Sequence, residues 1–67
     1  MTDKAARSLL ADHILGQRAT VRRMRAVRAR AWAENQTLTA TWYDGALHEA
    51  ESALQLMRYL AAEMRGR

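Results

Sequence analysis

The residues best suited to chemistry in this chain are six arginines in its first half, which no acidic residue interrupts between positions 18 and 33. A guanidinium group forms paired hydrogen bonds with a carboxylate or a phosphate. On a helix, Arg18, Arg22 and Arg25 share one side, while Arg23 and Arg30 share an adjacent side. We therefore expect an anion-bearing partner to bind through Arg18, Arg22, Arg25, Arg28 and Arg30.

Three interpretations of this arginine-rich segment stay open. The arginines could form a solvated surface that glutamates of a neighbouring helix partly neutralise. They could bind a protein with an acidic or polar patch, or they could lie on the phosphates of RNA or DNA. The net charge of +4 is compatible with each of the three.

Three aromatic residues bracket the position where the chain is expected to turn: Trp32, Trp42 and Tyr43. They could close the end of a helix pair, because aromatic side chains bury large areas. They could also anchor a partner, because Trp, Tyr and Arg are enriched among the residues that dominate binding energy. Leu15 points away from the other apolar residues of its helix, either as a lone surface leucine or as a second contact patch.

The sequence shows no recognisable set of catalytic or metal-binding residues. His13 falls near the apolar side of the first helix, and His48 falls on the polar side of the second. Ser8 and Ser52 lack a recognisable base and orienting group. Without cysteine, thiolate metal sites and disulfides are excluded. We therefore expect no enzyme activity, no metal and no cofactor.

The elements that position these side chains are predicted to be two helices. The chain has no proline and is rich in alanine, leucine, arginine and glutamate, which favour helix. We expect an all-α antiparallel hairpin in one domain, 1–67, with helices at about 3–34 and 38–64. Thr2 could cap the first helix, Asn35 could take a left-handed conformation in the turn at about 35–37, and Thr37 could cap the second helix. Gly16 is expected to leave the first helix unbroken or mildly bent.

Apolar residues in the second half recur at alternating steps of three and four, the spacing of a coiled-coil seam. This stripe is Tyr43, Ala46, Ala50, Ala53, Met57, Leu60 and Met64. Leu47, Leu54 and Ala61 flank it on one edge, and Trp42 and Leu56 flank it on the other. The opposite face of this helix is predicted to be polar and to include Arg58 and Arg65. On the first helix, a matching stripe is formed by Leu10, Ile14, Val21, Met24, Val27 and Ala31.

The apolar surface of the second helix is broader than one facing helix can cover. A core this small rarely stabilises itself by more than about 3–5 kcal/mol without disulfides, metals or oligomerisation. We therefore expect a homodimer with a four-helix arrangement. No apolar run approaches the ~20 residues of a membrane span, so we expect a soluble, cytoplasmic protein without membrane contact.

The alanine seam of Ala46, Ala50 and Ala53, together with the chain length, resembles Rop-like hairpins that dimerise into four-helix bundles and bind RNA. The size, basic charge and composition also resemble small phage-encoded accessory proteins that bind and silence host proteins, including transcriptional regulators. The resemblance implies a non-enzymatic module that inhibits or redirects a partner protein in the host cytoplasm. The alternative is nucleic-acid binding through the arginine-rich face of the first helix.

Overall fold

Two helices packed side by side form the computed structural model, which describes residues 3–66. Helix α1 spans Asp3–Ala33 and helix α2 spans Thr37–Arg65. They form an antiparallel hairpin with a longest dimension of 48 Å, so the predicted all-α hairpin is confirmed. The cap predicted at Thr2 lies outside the described residues.

Both helices are continuous, in keeping with a chain that lacks proline. Helix α1 passes through Gly16 without a break, because an isolated glycine costs a helix only about 1 kcal/mol. Within the described residues, neither helix has an apolar stretch of the length that crossing a bilayer requires.

The turn between the helices depends on Asn35, whose φ of 59° lies in the left-handed region. The Gln36 amide donates to the carbonyl oxygen of Ala31 at 2.8 Å, and the Asn35 amide donates to that of Trp32 at 3.2 Å. These two bonds form a Schellman motif, which satisfies carbonyl groups at the end of a helix. The predicted left-handed Asn35 is therefore confirmed. The predicted Thr37 cap is wrong, because Gln36 takes the cap position without a side-chain hydrogen bond.

The centre of the helix interface is formed by leucine rather than alanine. Leu47 and Leu54, with exposed fractions of 1% and 7%, pack with Val21 in the core. The predicted stripe placed these leucines at an edge, so its register is wrong by one position. Tyr43, Ala50, Met57 and Met64 fit either register. Leucine takes the centre because it buries more apolar area than alanine does.

On α1, Ile14, Val21 and Met24 contribute to the interface as expected, and Ala31 is buried. Val27 is instead exposed, which corrects its predicted place in the stripe. Because Arg28 is half-buried and forms an ion pair with α2, it occupies the place that was assigned to Val27.

Candidate functional site

The hairpin has two long flanks, one on each side of the seam where α1 meets α2. One flank contains positions 7, 11, 15, 18, 22, 25 and 32 of α1 and positions 44, 51, 54, 58, 61 and 65 of α2, which follow one another at steps of three, four or seven residues. We call this the basic flank. Positions 9, 16, 20 and 27 of α1 and 42, 46, 53, 56 and 60 of α2 lie towards the other flank, which we call the apolar flank.

The half of the basic flank near the turn is neutralised by ion pairs between the helices. Arg25 pairs with Glu51 at 3.5 Å, and Arg28 pairs with Asp44 at 3.6 Å. The four side chains are between 38% and 59% exposed, so solvent screens both pairs and each contributes about 0–1 kcal/mol. The Arg25–Glu51 pair fits the interpretation in which glutamates of the neighbouring helix partly neutralise the arginine-rich segment, and it does not decide between the three interpretations.

Further from the turn, the basic flank has a groove of about 340 Å³ with arginines around its rim. Arg18, Arg22 and Arg25 come from α1, and Arg58 comes from α2. The buried side chains of Val21 and Leu54 form its floor. The structure thus brings together the three arginines that the helical spacing placed on one side, and it adds a fourth from the other helix.

Next to this groove, towards the open end of the hairpin, lies an apolar groove of about 400 Å³. Arg7 and Arg65 flank it, and its lining is otherwise aliphatic: Leu10, Ala11, Ile14, Leu15 and Ala61. The side chain of Leu15 is 62% exposed. Leu15 therefore lies among other aliphatic side chains in a groove that adjoins the arginines, rather than alone on the surface.

The apolar flank is made mainly by α2, and α1 leaves it uncovered. Trp42 is 65% exposed and Leu56 is 60% exposed, and Leu60 is also exposed. Ala46 and Ala53 are half-buried between them. From α1, Leu9 and Val27 are also exposed large apolar residues. This flank is the broad apolar surface that the sequence predicted for α2, with Trp42 and Leu56 at its outer edge as expected.

The aromatic residues do not close the end of the hairpin. Trp32 is 47% exposed and Trp42 is 65% exposed. The Trp42 and Tyr43 rings contact each other edge to face, with centroids 4.9 Å apart. Helical spacing places Trp32 at the turn end of the basic flank, in series with Arg18 and Arg25. The three aromatics therefore do not form a single cluster, since Trp32 and Trp42 lie towards opposite flanks.

Three of the five arginines expected to bind a partner already form ion pairs within the chain, and one of these is the Arg25 pair described above. Arg28 pairs with Asp44, and Arg30 pairs with Glu34 on its own helix at 3.1 Å. Arg23 lies on a different groove, which it shares with His13 and Gly16. Within residues 3–66, Arg18 and Arg22 are therefore the members of the predicted set without an ion pair, and Arg25 both pairs with Glu51 and lines the groove.

Sequence reasoning missed Arg7, Arg58 and Arg65 as members of the basic flank. The predicted stripe was displaced by one position, and this displacement put Arg58 and Arg65 on the opposite side of α2. The signal was nevertheless present in the sequence. Once Leu47 and Leu54 are taken as the centre of the seam, positions 58 and 65 fall beside it at three-and-four spacing.

Among the described residues, no three histidine, cysteine or acidic side chains lie close enough together to hold a metal ion. His13 is exposed rather than in the seam, where Gln17 is the polar residue instead. Comparison with family models, curated proteins and solved structures finds no match to this chain. Its function therefore has to be argued from the two flanks.

Proposed function

We propose that this chain is a non-enzymatic interaction module that forms a homodimer through its apolar flank and binds a partner protein through its basic flank. The observation that supports this most directly is the contrast between Leu54 and Leu56. The hairpin buries the first and leaves the second exposed beside Trp42 and Leu60. A contiguous apolar surface of this kind marks a site of association.

Self-association would stabilise a domain that is too small to be stable through its own core. A two-helix hairpin of this size has too few core residues to reach the stability of larger domains. A second hairpin packed on the apolar flank would bury Leu56 and Trp42 and complete a four-helix arrangement. Ala46 and Ala53 have small side chains, which would let the helices approach closely. A two-fold axis is the simplest symmetry, because it pairs the same flank with itself.

A dimer built in this way would keep both basic flanks free for a partner. We propose that the partner is a regulatory protein with an acidic surface, such as a transcriptional regulator in the cytoplasm of a host cell. The module would act by occupancy, inhibiting or redirecting the partner because it covers a surface that the partner needs. The resemblance to phage-encoded accessory proteins supports this class of partner, and it carries over no individual residue.

The dimer is tested by measuring molar mass with light scattering during gel filtration at micromolar protein concentration. We expect the wild type to have the mass of two chains, and Leu56→Gln and Trp42→Gln to have the mass of one with unchanged helicity. Leu15→Gln is the matched control, since Leu15 is 62% exposed, close to the 60% of Leu56, and lies on the basic flank. A wild type that stays a single chain with full helicity would contradict the proposal.

Partner binding is tested by affinity capture from a host lysate with the wild type and with Arg18→Glu/Arg22→Glu. A protein that the wild type retains and the variant loses would then be purified for direct binding and activity measurements. We expect its activity to fall when the module is added in stoichiometric amounts. If the purified protein binds both forms equally, then the basic flank is not the binding surface.

Nucleic-acid binding is the second candidate function, and the four arginines around the 340 Å³ groove favour it. Phosphate binding releases counterions, so affinity should fall by orders of magnitude between about 50 and 200 mM salt when many contacts form. Gel shifts with RNA and DNA at two salt concentrations distinguish the candidates. Absence of a shift at low salt would eliminate the nucleic-acid function.

A further inference from the structure

We infer that the basic flank is a docking groove for one acidic amphipathic helix of the partner protein. This inference rests on the proposed function and specifies the chemistry of the partner's contact segment. The docking groove consists of the apolar groove between Arg7 and Arg65 and the arginine-lined groove around Arg18 and Arg58. Its apolar stretch would receive leucine-like side chains, and its arginines would receive carboxylates.

The two grooves form one continuous surface. On α1, Ala11 and Leu15 of the apolar groove precede Arg18, Arg22 and Arg25 at alternating steps of four and three. On α2, positions 54 and 58 line one groove and positions 61 and 65 line the other, again at three-and-four spacing. Residues at these spacings share one side of a helix. The docking groove therefore runs along the hairpin from Arg7 to Arg25.

Five of the six arginines along this surface form no ion pair with another described residue, and Arg25 is the exception. Among the described residues, the ion pairs involve Arg25, Arg28 and Arg30, and all their acidic partners lie towards the turn. Arg7, Arg18, Arg22, Arg58 and Arg65 are in none of these pairs. Because like charges gathered in a groove repel each other, an anionic occupant would relieve that repulsion.

The apolar part of the surface favours a peptide over a phosphate backbone. Leu10, Ile14 and Leu15 lie between the arginines at the two ends, and a nucleic-acid strand would leave them against charged phosphates. An amphipathic helix places apolar anchors at i, i+3, i+4 and i+7 on one side, with acidic residues at its margins. Arg18 lies eleven positions after Arg7, which corresponds to about 16 Å of helix, or about three turns.

The length of the surface limits the segment that would occupy it. An occupant of about three to four turns could meet Arg7 and Arg65 at one end and Arg18 and Arg58 at the other, with two or three apolar residues between. Arginine suits the ends because its guanidinium binds a carboxylate with two parallel hydrogen bonds. Glu51 already places a carboxylate 3.5 Å from Arg25 at the groove margin, which shows the kind of contact that the rim accepts.

The probe that tests this inference is a fluorescein-labelled synthetic helix with leucines at i, i+3, i+4 and i+7 and glutamates at both margins. A second peptide replaces every glutamate with glutamine. Fluorescence polarisation measures binding to the wild-type chain and to two variants, Leu15→Gln and Arg58→Glu. Arg23→Glu is the matched control for total charge, because Arg23 lines a groove on the other side of the hairpin.

We expect the acidic helix to bind the wild type, and each groove variant to weaken its binding at least tenfold. The glutamine peptide should bind at least tenfold more weakly than the glutamate peptide, and Arg23→Glu should bind the acidic helix like the wild type. Circular dichroism of each variant checks that its helicity is unchanged. Leu15 and Arg58 are both exposed, so neither substitution should unfold the chain.

Four results would overturn the inference. The first is that the acidic helix does not bind the wild type, and the second is that Arg23→Glu weakens its binding as much as the groove variants do. The third is that RNA or DNA binds more tightly than the peptide and depends on Leu15 and Arg58 in the same way. The fourth is that the wild type is a dimer and that Leu15→Gln and Arg58→Glu dissociate it. The last result would mean that a second copy fills the groove. If one of the first three results is obtained but the wild type still forms a dimer that Leu56→Gln dissociates, then the docking groove is wrong and the proposed self-association still holds.

Discussion

The side-chain amide of Gln17 donates a hydrogen bond of 3.0 Å to the main-chain carbonyl oxygen of Ala50, which joins the two helices within an otherwise apolar seam. Both residues are half-buried. A polar residue at a seam position fixes the alignment of two helices, because a shift along the axis would break its hydrogen bond. The contact lies beside Val21, Leu47 and Leu54 in the core cluster, so it aligns the helices where they pack most closely.

Replacing Gln17 with alanine should lower the free energy of unfolding by about 1 kcal/mol, the typical net contribution of such a hydrogen bond. Gln55→Ala is the control, because Gln55 is exposed on α2 and its substitution should change stability by less than about 0.5 kcal/mol. Urea unfolding followed by circular dichroism at 222 nm measures both variants at one protein concentration. Equal stability of the two variants would show that the Gln17 contact contributes nothing.

Leu54 and Leu56 offer a test in which the same substitution is made two residues apart. Leu54→Ala should destabilise the fold by about 2–5 kcal/mol, because it removes buried methyl groups and leaves a cavity. For a domain of this size, that loss is enough to unfold most of the chain. Leu56→Ala should leave the helicity unchanged at concentrations where the chain is dissociated. Thermal unfolding by circular dichroism compares the two, and equal losses at low concentration would contradict the packing described.

Asn35 adopts a left-handed backbone conformation in the turn, with a φ of 59°, which glycine adopts more easily. Asn35→Gly should keep or slightly raise the melting temperature, because glycine has no side chain to oppose a positive φ. Asn35→Val should lower the free energy of unfolding by about 1–2 kcal/mol, since a β-branched residue resists the left-handed region. Thermal melts of the three proteins provide the measurement. A valine variant as stable as the wild type would mean that the turn is not strained there.

The ion pair between Arg25 and Glu51 should contribute little to folding. Both side chains are well exposed, so Glu51→Gln should change the free energy of unfolding by less than about 1 kcal/mol. The loss should become smaller still in high salt, because salt screens exposed charges. Urea unfolding at two salt concentrations measures the effect. A loss of several kcal/mol would mean that this pair is part of the core rather than of a binding surface.

Much of the fold could be predicted from local sequence signals. Helix-favouring composition, the absence of proline and the special backbone tolerance of Asn35 act over a few residues, so each can be recognised without knowing the partner helix. The predicted helices at about 3–34 and 38–64 compare with Asp3–Ala33 and Thr37–Arg65 in the structure. Arg18, Arg22 and Arg25 were grouped correctly for the same reason, since they share a side of one helix.

The register of the seam could not be predicted in this way, because it depends on how two helices pack together. The α2 sequence contains two stripes of three-and-four spacing that share Tyr43, Ala50, Met57 and Met64. Only the packing against Val21 and Met24 selects the stripe that contains Leu47 and Leu54. The error in register carried over to the site, because it placed Arg58 and Arg65 away from the arginines of α1.

The two glycines within the helices provide a final prediction that bears on both stability and association. A Cβ atom added at Gly16 or at Gly45 would meet no atom of this chain within 4 Å. Each Gly→Ala change should therefore raise the free energy of unfolding by about 0.5–1 kcal/mol, because alanine loses less conformational entropy in a helix. The two gains should add, since the positions lie in different helices and share no contact.

Gly16 differs from Gly45 in its surroundings, because it lines a groove towards the apolar flank with Thr20 and Met57. If the second copy packs close to that groove, Gly16→Ala should raise the free energy of unfolding at low protein concentration. The increase should be smaller at high concentration, where the dimer forms. Gly45 lies three residues after Trp42 and eleven before Leu56 on α2, so Gly45→Ala should also gain less at the concentrations where the dimer forms. Urea unfolding of each variant across a range of protein concentrations measures the difference, and a loss of stability at Gly45 in the dissociated chain would contradict the open helix surface seen there.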